Sequence, residues 1–595
     1  MSFLALLSSP HLLGEMVRAG DAPLAVLGRN RAVTDAAHAL GLRTLHIDEL
    51  FRRDERVALQ DHVDDLARAL AGGIPASPTD YQCWGWWALE YAFANTLSHG
   101  ARTRRLIEAG LALAPGARGI VHDGDGFAHG AVVTLAARER GLVALGFPPQ
   151  AGGALHTAQD MVLTPLAKEG ACEDWRGQPL PRDRRLTVVA FHANEIAQCF
   201  GPLRDAPDLR IAMDRRDPWS FDGPTVDARP VGPARPLIAP EWPTPRGITA
   251  APWERELCEH LFISYQPWLR ESLHWALAAY RAGEVRALLG AQDFLPHMRT
   301  RMLACRSAGI PTILMQHGAY HAHRPAGRGD RNHLIADHTL TWSRAVSREL
   351  ADWGLTRPTH VIGWPQGTAP IAREAAARRA AHPTSNRPWV VLATGSSSDT
   401  AELPYDQGTR FLSDVLPALR AARPDVPIVV KGHPFYDSEE RLTELCRGLG
   451  VSGVTIQVDR VNMWEVVAFA EAVIGTKSTS VFSAAALGVP VAVYYPFADE
   501  AWYDRYADTP VARDPVALTA LLRRTPATWN ALSGTTLREQ FRTDVDAARR
   551  LVAVVRRIAR TAAGLPTVSA RGADSRKQRR SRPKPSPRRT GVCIS

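Results

Sequence analysis

Short apolar runs alternate with amphipathic stretches along most of the chain, and the alternation is strictest in its last third. There, residues 389–393, 427–431, 454–458, 472–475 and 489–494 are near-continuously apolar and predict buried strands. Residues 409–423, 438–449, 463–470 and 481–487 carry apolar positions at helical spacing. Strands and helices joined in strict alternation by short loops predict a parallel, doubly wound sheet.

The first half follows the same logic less cleanly. Residues 24–28, 44–47, 119–122 and 142–145 predict strands, with helices at 31–40 and 129–140 between them. Two longer helical stretches, 54–71 and 84–113, suggest a helical insertion spanning 54–113. Residues 186–191 and 209–213 are expected to continue that sheet, and 214–253, rich in Pro and Arg, reads as a long loop. A second run of units predicts helices at 267–282, 297–308 and 344–353 and strands at 285–290, 311–316 and 338–342. Trp364-Pro365 then marks a hinge. The expected organisation is an α/β domain over 1–364, a second Rossmann-like domain over 365–545, a helix over 546–570 that crosses back, and a disordered basic tail over 571–595.

Charge changes this picture in one respect. The formal net charge is +10, yet the tail from Arg571 to Ser595 holds nine Arg or Lys and one Asp. The rest is nearly neutral, which ranks nucleic-acid binding low. Seven scattered cysteines without a Cys-x-x-Cys pair indicate neither a zinc site nor a disulfide framework. They suit a reducing cytoplasm. No apolar stretch is long enough to span a bilayer.

The chemistry gathers at predicted strand ends. One strand runs into Lys431-Gly432-His433-Pro434 and a later one into Lys477-Ser478-Thr479-Ser480, directly before a helix. The chain uses five lysines among 71 basic residues, and two of the three outside the tail fall in these motifs. A lysine is a compact point charge for phosphate, and helix N-termini are ready anion sites. One Ser or Thr suffices as a helix cap, so three hydroxyls beside a lysine point to phosphate. Gly395 and Ser396, in the loop after the first strand of that domain, either join that contact, line a cleft, or form a plain loop. Two further motifs follow N-terminal strands. His317, in Gln316-His317-Gly318, could take a proton from a hydroxyl near neutral pH. Asp123 and Asp125, in His122-Asp123-Gly124-Asp125-Gly126, could supply a general base, although Asp-Gly also suits a turn.

Together these motifs resemble the GT-B glycosyltransferases of bacterial surface and capsular polysaccharide synthesis. Capsule-polysaccharide transferases, CDP-glycerol glycerophosphotransferases and bacterial sialyltransferases are the similar families. The resemblance covers residues 285–522. It rests on Gln316-His317-Gly318, the run from Ala336 to Trp342, Val361-Ile362-Gly363-Trp364-Pro365, Lys431-Gly432-His433-Pro434, and the stretch from Ser478 to Pro490. It implies two Rossmann-like domains facing a cleft. It also implies donor nucleotide and phosphate binding by His433, Ser478, Thr479 and Ser480, and an acid–base role for His317 or for Asp123 or Asp125. Asp125 lies much further from His433 than in compact sialyltransferases, and the first 280 residues match no named family.

The implied reaction moves a sugar or polyol phosphate from a nucleotide-activated donor to a glycan or lipid-linked acceptor, with no cofactor and no metal expected. Two alternatives stand beside it. One is a nucleotide-sugar epimerase resembling UDP-GlcNAc 2-epimerase. The other is a non-catalytic binder that uses the tail from Arg571 on an anionic polymer or lipid. The same tail suggests peripheral attachment to an anionic membrane surface.

Overall fold

The computed structural model describes residues 2–7, 10–28, 31–72, 75, 77–122, 129–146, 183–191, 200–214, 225–226, 237–243, 248–291, 293, 295–316, 334–352, 354–365, 374, 377–378, 380–381, 387–393, 407–432, 438–458, 466–467, 469–476, 479–496, 510–530 and 546–566. The predicted tail lies outside them.

Three parallel sheets organise these residues. The first holds β1 (Phe3–Leu7), β2 (Ala25–Gly28), β3 (Thr44–His46), β4 (Gly119–His122) and β5 (Val143–Gly146), in the order β3-β2-β1-β4-β5. The second holds β6 (Leu186–Ala190), β7 (Leu209–Asp214), β8 (Thr225–Val226), β9 (Val285–Gly290), β10 (Thr312–Met315), β11 (His338–Thr341) and β12 (Thr359–Val361), in the order β12-β11-β10-β9-β6-β7-β8. The third holds β13 (Trp389–Ala393), β14 (Ile428–Gly432), β15 (Val454–Gln457), β16 (Ala472–Gly475), β17 (Val491–Tyr494) and β18 (Val511–Ala512), in the order β15-β14-β13-β16-β17-β18. In each sheet the first three strands run outward one way and the fourth returns to the other side of the first. That is the doubly wound arrangement, and ligands bind such sheets where the order reverses, outside the strand carboxyl ends.

The α/β class is therefore as expected, with three sheets present. β6 and β7 do not continue the first sheet. β6 pairs with β9, which places β6, β7 and β8 in the second. β1 was not anticipated. Its five residues are all buried, as a central parallel strand with both faces covered requires.

A helical layer joins the first two sheets. Helices Arg53–Ala71, Tyr81–Ala88 and Glu90–Leu113 pack with Pro252–Ala282 and Pro296–Ser307 around one aromatic core that includes Trp84, Trp86, Phe262 and Tyr265. The helix Pro252–Ala282 runs straight through Pro267, where the expected helix began. Proline lacks the N–H that an interior position donates. Burial of Phe262, Tyr265, Leu269 and Leu273 along one face nevertheless carries the helix across. Two wholly buried arginines tie this layer down. Arg299 pairs with Glu90 at 2.7 Å, and Arg301 pairs with Asp214 at 3.0 Å and also donates to Ser272.

The helix Ala547–Ala562 packs on the second sheet through Leu551, Val555, Ile558 and Ala559. Arg556 fixes it to Asp208 at 2.7 Å. Trp342, just after β11, and Trp364 sit in a core shared with Val390 and Leu392 of β13 and with Val473, Val481 and Val493. This cluster joins the second sheet to the third.

Candidate functional site

At the carboxyl edge of the third sheet, Lys431 and Gly475 are both register partners of Leu392 on the central strand. They therefore stand two strands apart, about 9.5 Å at ordinary strand spacing. The order reverses between β13 and β16, so Lys431 and the turn after Gly475 flank the place where such sheets hold ligands.

Local packing explains this turn. A Cβ on Gly475 would run into Val481, so only glycine lets the helix Thr479–Ala486 sit directly over the end of β16. Thr476, which follows, is 6% exposed, and its Oγ1 has no hydrogen-bond partner among the described residues. A buried hydroxyl without a partner carries a desolvation penalty that a bound acceptor would relieve. Lys431 is buried too, at 7% exposure. Ser480, in the first turn of the helix, is half-buried.

Of the residues singled out from sequence, Lys431, Thr479 and Ser480 are described at this edge, although of Thr479 only the backbone is. Gly395, Ser396, His433, Pro434, Lys477, Ser478, His317, Asp123 and Asp125 lie outside the described residues. Their strands can be compared. Gly395 and Ser396 follow β13, His433 and Pro434 follow β14, and Lys477 and Ser478 follow β16, adjacent strands with carboxyl ends on one edge. His317 follows β10 of the second sheet, whereas Asp123 and Asp125 follow β4 of the first. The two proposed sources of a base thus stem from different sheets.

The second sheet fixes the root of the His317 segment. Trp342 donates its backbone N–H to Gln316 Oε1 at 2.8 Å and its indole N–H to the Gln316 carbonyl at 2.9 Å. At the far end of that segment, Asp293 Oδ2 accepts from the backbone N–H groups of Ile335 and Ala336 at 2.6 and 3.2 Å. Burial pushes the Asp293 carboxyl up to about 7, despite these two bonds and the Arg299 charge. Asp337 accepts from the Thr312 backbone N–H and hydroxyl at 2.9 and 2.7 Å, locking β11 to β10.

Sequence reasoning passed over Thr476 and Asp293. Thr476 stands directly before the Lys477-Ser478-Thr479-Ser480 motif, next to a more conspicuous lysine, and Asp293 in a run without any motif. Burial without a partner is the signal for both, and it exists only in three dimensions. Among the described residues no group of three His, Cys, Asp or Glu could hold a metal ion, and no helix is long and apolar enough to cross a membrane.

No family model matches the chain, and no curated protein matches its sequence. Solved structures do. MurG of Acinetobacter baumannii is similar at 12% identity and a TM-score of 0.35, over 63% of this chain and 99% of that one. UDP-GlcNAc 2-epimerase from Neisseria meningitidis, bound to UDP-GlcNAc, is similar at 11% identity and a TM-score of 0.41, over 62% and 98%. The wall teichoic acid polymerase TagF is similar at 12% identity and a TM-score of 0.39, over 68% and 96%. All three are GT-B-fold enzymes.

Proposed function

We propose that the protein is a nucleotide-sugar-dependent glycosyltransferase of the GT-B type or a related CDP-polyol phosphotransferase, acting on a surface glycan or lipid-linked acceptor. One observation carries this reading. Lys431 and the Gly475–Thr476 turn, leading into a hydroxyl-rich helix start, flank the central strand of a doubly wound sheet at its carboxyl edge. That edge suits a nucleotide diphosphate.

In this reading the donor's phosphates rest against Lys431, His433, Thr476 and the start of the helix Thr479–Ala486. Their hydrogen bonds and charge stabilise the departing nucleotide as its bond to the transferred group breaks. His317 takes the acceptor hydroxyl's proton as the new bond forms. No cofactor or metal enters the proposal. The tail beyond Arg571 supplies charge for loose attachment to an anionic membrane, where a lipid-linked acceptor would reside.

A thermal-shift panel of CMP, CDP, UDP and GDP on wild type and His433→Ala tests the reading. A ligand at ten times its dissociation constant adds about 1.4 kcal/mol of stability. One nucleotide should raise the melting temperature of the wild type, and less so in the variant. Absence of any shift across the panel overturns the proposal. Product analysis with and without an acceptor separates transfer from epimerisation.

A further inference from the structure

We propose that the first sheet carries a second ligand site, independent of the one on the third sheet: a phosphate group held above its carboxyl edge by Asn95, His99 and Arg102 of one overhanging helix and by His122 of β4.

The overhang follows from length. The helix Glu90–Leu113 has 24 residues and is about 36 Å long, whereas no strand of the first sheet exceeds five residues, about 17 Å. Its last turn is pinned at the amino edge, where Arg43, one residue before β3, donates to the Leu113 carbonyl at 2.8 Å. Leu106 and Ile107 lie in one core with Leu4, Leu27 and Ile120, and a Cβ on Gly110 would collide with Leu27. The first half of the helix therefore continues beyond the carboxyl edge.

One face of the helix changes character at that edge. Positions 95, 99, 102, 103, 106 and 110 form a single stripe at helical spacing. Its lower part, Leu106 and Gly110, is apolar and covers the strands. Its upper part is Asn95, His99, Arg102 and Thr103, all four at most 5% exposed. Burying an amide, an imidazole and a guanidinium is costly unless they are hydrogen-bonded. Asn95 Nδ2 is buried and has no hydrogen-bond partner among the described residues. A buried donor of that kind calls for an explanation, and a bound acceptor supplies one.

β4 completes the site from below. His122, its last residue, is buried and is the register partner of Leu6. It therefore shares the sheet face of Leu6, which lies in the core covered by this helix. The sheet order reverses between β1 and β4, so the stripe and His122 converge on the place where a doubly wound sheet holds its ligand.

The chemistry of the stripe selects an anion. Its amide, imidazole, guanidinium and hydroxyl all offer donors, and it carries no carboxylate. The two glutamates of the helix are bonded elsewhere, Glu90 to Arg299 at 2.7 Å and Glu108 to Arg140. Arg104 and Arg105 likewise pair with Glu139 and Glu55 on other faces. Arg102 turns inward instead, with Nη2 3.4 Å from Ser98 Oγ. A guanidinium fork among neutral donors is the arrangement that recognises phosphate oxygens.

Isothermal titration of the full chain with inorganic phosphate and with CMP, at constant ionic strength, tests the site. All proteins carry Lys431→Met, which weakens the third-sheet site and lets the two readings fail separately. Phosphate should still bind, about fivefold more weakly once Asn95→Leu is added and at least about tenfold more weakly with Arg102→Gln. Asn95→Leu deletes an amide without a described partner, so the unliganded variant should melt at or above its parent. CMP binding more tightly than phosphate, and losing affinity in the same variants, supports the site and names a nucleotide as the source. Equal binding supports it and names a bare phosphate. No phosphate binding in Lys431→Met, or an affinity unchanged by both added substitutions, overturns the inference and leaves the donor site on the third sheet untouched. If a variant does not fold, peptide-resolved hydrogen exchange on the wild type decides alone. Slowing by phosphate within residues 95–103 supports the site, and its absence there overturns it.

Discussion

Trp342 holds Gln316 by two hydrogen bonds at once, one from its backbone and one from its indole ring. The same ring is buried in the core that contains Leu392 of the third sheet and Val481 of the helix over β16. One tryptophan therefore fixes the residue before His317 and packs into the cluster that seats the proposed phosphate site. Gln316→Ala keeps the carbonyl that accepts from the indole but removes the side-chain acceptor of the buried Trp342 backbone N–H, and should cost about 1–3 kcal/mol. Trp342→Phe keeps most of the ring but deletes the indole donor, and should cost less, about 1 kcal/mol. Denaturant melts of the two variants check the ranking, and equal stabilities would contradict it.

Gly475 makes a different prediction, because the obstacle there is steric. Gly475→Ala forces a methyl against Val481 and displaces the helix Thr479–Ala486 from the strand end. Overpacking of this kind typically costs about 1–3 kcal/mol. The variant should melt earlier and also lose affinity for the nucleotide that stabilises the wild type. A variant as stable as wild type would show that the helix shifts freely and that its seat is not set by this contact.

The pattern that predicted the third sheet was legible because each buried strand there ends in a polar turn and an amphipathic helix. The second sheet was half legible. Its strands β9 to β11 were found, but β6 and β7 were attached to the wrong sheet, since periodicity identifies strands and says nothing of which strands pair. The helix through Pro267 shows a local signal losing to tertiary burial. At the candidate site, the side chains with conspicuous chemistry were readable as letters: Lys431, His433 and the hydroxyl run. Asp293 and Thr476 were not, because what distinguishes them is a buried oxygen without a hydrogen-bond partner among the described residues.

Acid should loosen the helix Ala547–Ala562. Arg557 reaches the His360 Nδ1 at 3.1 Å, and His360 Nε2 lies 3.3 Å from His338 Nδ1. Arginine can only donate, so His360 must accept at Nδ1, be neutral, and donate from Nε2 to His338. Burial and the Arg557 charge, with a smaller push from His338, lower His360 from 6.5 to about 4, and burial lowers His338 too. The unfolded chain then binds more protons between those values, so stability is full above pH 6.5 and is lost as pH falls toward 4. Allowing for partial exposure, the His360 contribution is about 1–2 kcal/mol. His360→Gln can make both bonds without titrating, so its melting temperature should fall less steeply over that window. Parallel pH curves for the two proteins would rule out the relay as the sensor.

Thr476 separates ligand binding from folding more sharply than any other position. Its hydroxyl is buried and makes no hydrogen bond among the described residues, so Thr476→Val removes no internal bond and replaces a partnerless polar atom with a methyl of similar size. Exchanging an unsatisfied group for an apolar one of the same shape is neutral or stabilising. The apo variant should therefore melt at or above the wild-type temperature. If the hydroxyl serves a phosphate, the nucleotide-induced shift should shrink, with a loss of about 1 kcal/mol in binding for one neutral hydrogen bond. Lys431→Met gives the complementary case, removing a charge and weakening binding further, by about 1.5–3 kcal/mol for a charged hydrogen bond. Titrating one nucleotide against the three proteins should rank affinity as wild type, then Thr476→Val, then Lys431→Met. An apo Thr476→Val that is clearly less stable would mean that the hydroxyl already serves the fold. Unchanged affinity in both variants would move the phosphate away from this edge of the third sheet.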